Sequence, residues 1–76
     1  MHTQRITLEI YGLGCGGGGA LAVERALTRV KGVVHAYANP ATETAYVQYD
    51  PALVQPAHLV RAIEAVGFRT GEPILR

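Results

Sequence analysis

A single cysteine, Cys15, stands inside the run Gly12-Leu13-Gly14-Cys15-Gly16-Gly17-Gly18-Gly19, and it is the residue of this chain best equipped for chemistry. One thiol excludes an intramolecular disulfide and any zinc site assembled from the cysteines of one chain. Its position suggests something more specific. A thiol just ahead of a helix start meets unpaired N–H donors and the positive end of the helix dipole, and both favour the thiolate. Thiolates are soft ligands that select Cu(I) and other thiophilic ions. The plainer alternative is a small buried hydrophobe. Position alone leaves both open, although a glycine-rich loop at the rim of a domain argues against burial.

The same run contains Gly12-x-Gly14-x-x-Gly17, which matches the dinucleotide-binding fingerprint as a string. That site also needs adjacent parallel strands and an acidic residue about 20 positions on, where this chain has Val33 to Tyr37. The string is therefore read as a coincidence, and capture of a small anion at the helix start is the weaker use left to it. His2 lies near a terminus, His58 faces water on a helix and His35 is on a strand. Neither His2 nor His58 has a metal-ligand partner at i+4, and His35 points to the face away from Cys15. No nucleophile, base and orienting group can be assembled, so no enzyme is expected.

The elements that must position Cys15 follow from periodicity. Ile6, Leu8 and Ile10 alternate with Arg5, Thr7 and Glu9, which predicts a half-buried strand over about 4–11. Ala20, Val23, Leu27 and Val30 recur at helical spacing, and Lys31-Gly32 supplies a cation and a glycine stop. Val33 to Asn39 reads as a strand, Asn39 to Glu43 as a hairpin connection and Thr44 to Tyr49 as the returning strand, ended by Asp50-Pro51. Pro56 opens a second helix with Leu59, Ile63 and Val66 on one face. Gly67 closes it, Phe68 begins a short last strand, and Gly71 to Arg76 form a tail.

The order βαββαβ predicts an α+β, ferredoxin-like sandwich in one domain over 1–76: a four-stranded antiparallel sheet with two helices on one face. In that topology the loop after the first strand, the hairpin near Pro40 and the Gly67-Phe68 turn lie at one end. Ile6, Leu8, Val23, Leu27, Val47 and Ile63 are the expected core. Tyr11, Tyr37 and Tyr46 fall on the helix-free face, where they serve either as solvated strand residues or as a contact surface.

Composition agrees with a small globular domain and narrows the partners. At 8.1 kDa the fold buries only about 60% of its unfolded surface, which leaves little room for a catalytic cleft. Seven Lys and Arg against six Asp and Glu give a net charge of +1 with the charges scattered, so there is no electrostatic footprint for nucleic acid. No apolar run approaches the roughly 20 residues of a membrane span, and residues 1–10 alternate instead of forming a secretory signal. A soluble, cytoplasmic protein is expected.

Five groups of residues together resemble a known family: Gly12-Leu13-x-Cys15; Val23-Glu24-x-Ala26-Leu27 with Gly32-Val33; Asn39-x-Ala41-Thr42-x-x-Ala45; Tyr49-Asp50-Pro51; and Leu59-x-x-Ala62-Ile63-Glu64-x-x-Gly67-Phe68. From Ile6 to Thr70 the chain is similar to the heavy-metal-associated domain of copper chaperones and of copper-pumping ATPases. The resemblance implies the sandwich derived above, Cu(I) or another thiophilic ion as cargo, and trafficking as the role. It also exposes departures. The family has Cys-x-x-Cys and a methionine where this chain has Leu13. Counting from Gly12-Leu13 puts the second cysteine at Gly18, and counting back from Val23-Glu24 puts it at Gly19. With Cys15 as the one sulfur of the site, the second ligand is expected from another copy in a metal-bridged homodimer, from a small thiol, or from a partner such as a metal-transporting P-type ATPase. Leu13, Gly14 and Phe68 are expected around the thiolate, with Leu13 and Phe68 as an apolar rim. The competing expectation is a module without metal that contacts partners through Tyr11, Tyr37 and Tyr46.

Overall fold

The computed structural model describes residues 2–14 and 18–71, and the backbone of 74–75. Strand β1 (Gln4–Tyr11) runs through the middle of the sheet, and its alternation buries Ile6, Leu8 and Ile10 while Arg5, Glu9 and Tyr11 stay exposed. Helix α1 (Gly19–Thr28) follows, then the hairpin of β2 (Val33–Asn39) and β3 (Thr44–Tyr49), helix α2 (Pro56–Ala65) and the short β4 (Arg69–Thr70) and β5 (Ile74–Leu75). All pairings are antiparallel, in the order β2-β3-β1-β4. Strand β5 pairs Ile74 and Leu75 with Thr7 and Ile6, on the side of β1 that β4 also occupies. β4 and β5 are thus two pieces of one edge, and the sheet has four strand positions.

The tail read from Gly71 onward therefore contains a strand. An edge of β1 left open would present unpaired N–H and C=O groups, and β5 satisfies them. Gly71 N–H donates to Glu9 O at 2.9 Å where the two pieces meet.

Val23 and Leu27 of α1 and Leu59 and Ile63 of α2 are buried against the same face of the sheet, with Ala36, Ala38, Ala45, Val47 and Val54 completing the core. Every expected core residue lies there. Glu24 of α1 also accepts the Ala38 N–H at 2.8 Å, which ties the helix to β2 and covers a donor on the outer edge of the sheet. Tyr49, the fourth tyrosine, is buried and its hydroxyl donates to Gln4 Oε1 at 3.2 Å.

Both helices stop earlier than their apolar patterns predict. Helix α1 ends at Thr28, because the Val30 N–H bonds to Leu27 O in a tighter i→i−3 turn, so Val30 packs on the core from outside the helix and Lys31 lies beyond the last turn. Helix α2 ends at Ala65, and Val66 is 42% exposed instead of lying on the buried face. Its end is a Schellman turn, in which the Gly67 N–H donates to Glu64 O at 3.0 Å and the Phe68 N–H donates to Ile63 O at 3.3 Å. That reversal turns Phe68 back against the core.

Candidate metal centre

Antiparallel pairing brings three connections together. Thr44 opposes Glu9 and Asn39, and Arg69 opposes Tyr11, so the end of β1, the β2–β3 hairpin and the start of β4 share one end of the molecule. This is the placement expected for the glycine loop. Leaving β1, the chain turns at Gly12, and the Leu13 N–H reaches back to Ile10 O at 3.4 Å. The turn drives the Leu13 side chain into the core, where it is 1% exposed. Leu13 is therefore a core residue and not part of a rim with Phe68. A leucine offered both positions gains by taking the dry one.

Gly14 docks on the hairpin. A Cβ at this position would stand 3.1 Å from Pro40 O, which leaves no slack for a side chain. The Gly14 N–H donates to Glu43 Oε2 at 3.4 Å. Glu43 itself has φ 53, a left-handed conformation unusual for its residue type, and its carbonyl accepts the Ile10 N–H at 2.8 Å. Sequence reasoning placed Glu43 in the hairpin and missed this role. The readable part was Asn39-Pro40, whose Asn39 Oδ1 accepts the Ala41 N–H at 2.9 Å and sets the turn.

Cys15, with Gly16 and Gly17, lies outside the described residues. The chain resumes at Gly18, in a left-handed conformation (φ 84), and α1 starts at Gly19 with no side-chain cap and no acidic residue in its first turn. Among the described residues the first amide groups of the helix thus have no side-chain cap and no carboxylate in the first turn, and in the sequence they follow closely on the cysteine. Phe68 closes the other side: a Cβ on Gly19 would be 3.0 Å from the ring Cζ. The described neighbours at the two ends of the loop are therefore Glu43 and the Pro40 carbonyl at Gly14 and the Phe68 ring at Gly19.

Among the described residues no group of three or more His, Cys, Asp or Glu could hold a metal ion. His58 has a different task, accepting the Gln55 N–H at Nδ1 (3.0 Å) in the N-cap of α2. His35 is exposed on the open face. The dinucleotide pattern fails on topology, because β3 lies between β1 and β2.

The helix-free face carries the three tyrosines. Tyr11 is 59%, Tyr37 49% and Tyr46 45% exposed, and the last two stack with centroids 6.4 Å apart and planes 15° from parallel. Beside them lies an open groove of ≈ 660 Å³ lined by Arg5, Thr7, His35, Tyr46 and Gln48. No helix among the described residues is long and apolar enough to cross a membrane.

Comparison with known proteins gives a consistent picture. The family model of the heavy-metal-associated domain matches residues 7–69. The copper-exporting P-type ATPase of Bacillus subtilis is 37% identical over 65 residues, 86% of this chain and 8% of that protein. Copper-transporting ATPase 2 of Rattus norvegicus is 37% identical over 46 residues, 60% of this chain. This chain spans only 3% of the length of the rat protein. Among solved structures, oxidized MerP from Ralstonia metallidurans CH34 superposes with TM-score 0.86 at 27% identity, covering 92% of this chain and 96% of that one. The CopZ metallochaperone superposes with TM-score 0.83 at 33% identity, covering 88% and 98%.

Proposed function

This chain belongs to the heavy-metal-associated domain family, and from that premise we propose that it binds a thiophilic metal ion, Cu(I) foremost, through the single thiolate of Cys15 and passes it on. The observation that carries the reading is the setting of the cysteine loop. The sequence's one thiol directly follows Gly14, which is docked on the hairpin, and precedes an uncapped helix start that Phe68 covers. Backbone N–H groups and the helix dipole favour the thiolate there. The Phe68 ring makes one flank apolar, which disfavours water as a competing ligand on that side.

Two-coordinate Cu(I) wants two sulfurs and this chain brings one, so the second comes from outside: Cys15 of another copy, a small thiol or a cysteine of a partner. A ligand that is not tethered exchanges readily, which suits delivery to another thiol-bearing protein. The likeness to the CopZ metallochaperone and to copper-transporting P-type ATPases supports such a pump as the receiver. Titrating Cu(I) into the chain and into Cys15→Ala, in buffer free of added thiol, tests the assignment. Binding by the first and none by the second is the expected result, whereas equal binding removes Cys15 from the site.

A further inference from the structure

The open sheet face carries a charge pattern that is complementary to itself. On β1, Arg5 and Glu9 are exposed and stand two residues either side of Thr7, about 7 Å in each direction along the strand. Thr7 lies directly opposite Tyr46 on β3, and Tyr46 opposite Tyr37 on β2, so the central row of the face is Thr7, Tyr46 and Tyr37. On β1 a cation lies on one side of this row and an anion on the other, at equal spacing, and Arg69, opposite Tyr11 on β4, adds a second exposed cation beyond Glu9.

From this pattern we infer that the face is a homodimer interface, formed by two copies stacked sheet to sheet about a twofold axis along the Thr7–Tyr46–Tyr37 row. Rotation about that axis reverses the strand direction and leaves the position across the strands unchanged. Arg5 of each copy then meets Glu9 of the other, twice per dimer, and the tyrosines of the central row meet their own equivalents, as an isologous contact requires. The ≈ 660 Å³ groove lies on the Arg5 side of the row and receives the Glu9 side of the second copy. Sheets pack about 10 Å apart, a gap that an arginine and a glutamate span together while the tyrosines fill its centre.

Four short strands offer about 400 Å² of plan area per copy, or on the order of 1,000 Å² of accessible surface in total, the lower end for a specific interface. The dimer is therefore a weak one. The axis sends the ends of β1, with Gly12–Gly14 after them, to opposite ends of the assembly. The interface uses neither Cys15 nor a metal ion, so the inference stands independently of the metal reading.

The test is sedimentation velocity from roughly 10 μM to 1 mM, in Cys15→Ala with a chelator present so that metal bridging is excluded. A concentration-dependent dimer is expected, and Tyr46→Ala should weaken it about tenfold or more. Arg5→Glu sets carboxylates against carboxylates across the axis, and Glu9→Arg does the same with guanidinium groups, so each single variant should be monomeric. The two variants mixed in equal amounts should form a heterodimer, and the charge-swapped double variant should recover the homodimer. A Cys15→Ala protein that stays monomeric to 1 mM overturns the inference. Dimers indifferent to both charge reversals, in variants whose thermal melts show them folded, overturn it equally.

Discussion

Placing a second cysteine in the loop is the perturbation that interrogates the site most sharply, and the two candidate positions differ in physical cost. At Gly18 the backbone is left-handed (φ 84) and a Cβ would meet nothing within 4 Å, so Gly18→Cys costs the conformational penalty alone, about 1–2 kcal/mol. At Gly19 the helix accepts a side chain and gains about 1 kcal/mol over glycine, but the new Cβ would sit 3.0 Å from Phe68 Cζ. Phe68 is half-buried and must move, at a cost of about 1–3 kcal/mol. Against either cost stands chelation. Two sulfurs in one chain meet at an effective concentration of about 1 mM, compared with about 10 μM for a second chain in an ordinary titration. The ratio is about 100-fold, or about 2.7 kcal/mol. Gly18→Cys should therefore bind Cu(I) about 100-fold more tightly than the parent and as a monomer, with a lower melting point when metal-free that the ion restores. Gly19→Cys should need the additional Phe68→Leu substitution to reach a similar affinity. Competition against a Cu(I) chelator, paired with thermal melts, reads both quantities. Variants at 18 and 19 that bind no more tightly than the parent would refute the expectation that a cysteine at either position converges with Cys15 on one ion.

Cys15→Ala should melt within about 0.5 kcal/mol of the parent, and a chelator should leave the parent's melt unchanged, since the core among the described residues is built mainly from the sheet and the two helices. His58→Ala should lose the Gln55 N–H acceptor at the start of α2, about 1 kcal/mol, seen as a fall of about 4–8 °C in melting temperature by calorimetry. Burial pushes the Tyr49 hydroxyl up from its ordinary 10.0. The stability contributed by its neutral form is then complete below pH 10.0 and is lost as pH rises through the higher folded value. Denaturant unfolding between roughly pH 9 and 11 should show that loss, and Tyr49→Phe should flatten it.

The fold was legible because each element announces itself locally: the period of two in Ile6, Leu8 and Ile10, the helical spacing of Val23 and Leu27, and Pro56 at the start of α2. Where sequence reasoning went astray, the deciding interaction was tertiary. Val30 and Val66 continue the apolar pattern of their helices, yet the turns at Leu27–Val30 and Ile63–Phe68 end those helices first, and Val66 is released to solvent. Leu13 carries no periodic signal that separates a core position from a rim, and the β1 turn decides. Glu43 was invisible as a neighbour of the loop because its reach to Gly14 depends on a left-handed backbone that no sequence pattern specifies for glutamate. His58 looked like a solvated helix residue and is exposed, but its Nδ1 is engaged at the cap, a contact between positions three apart that is readable only once the helix start is fixed. Residue type and place in the chain left Cys15 open between a metal ligand and a buried hydrophobe, and the resemblance to the heavy-metal-associated family supplied the metal reading. The three tyrosines of the open face followed from strand alternation alone, whereas the self-complementary pairing of Arg5 with Glu9 needed the register of β1 against β3.

Metal binding by one thiolate per chain, with the second ligand external, fixes a stoichiometry that can be weighed. Native mass spectrometry of the chain mixed with Cu(I), with every other thiol removed, reads it without ambiguity. One metal ion per two chains is expected, lost in Cys15→Ala, with conversion to one ion per chain when a small thiol is added. A one-to-one complex in the absence of any added thiol would show that the chain completes the site by itself and that the external ligand is not needed.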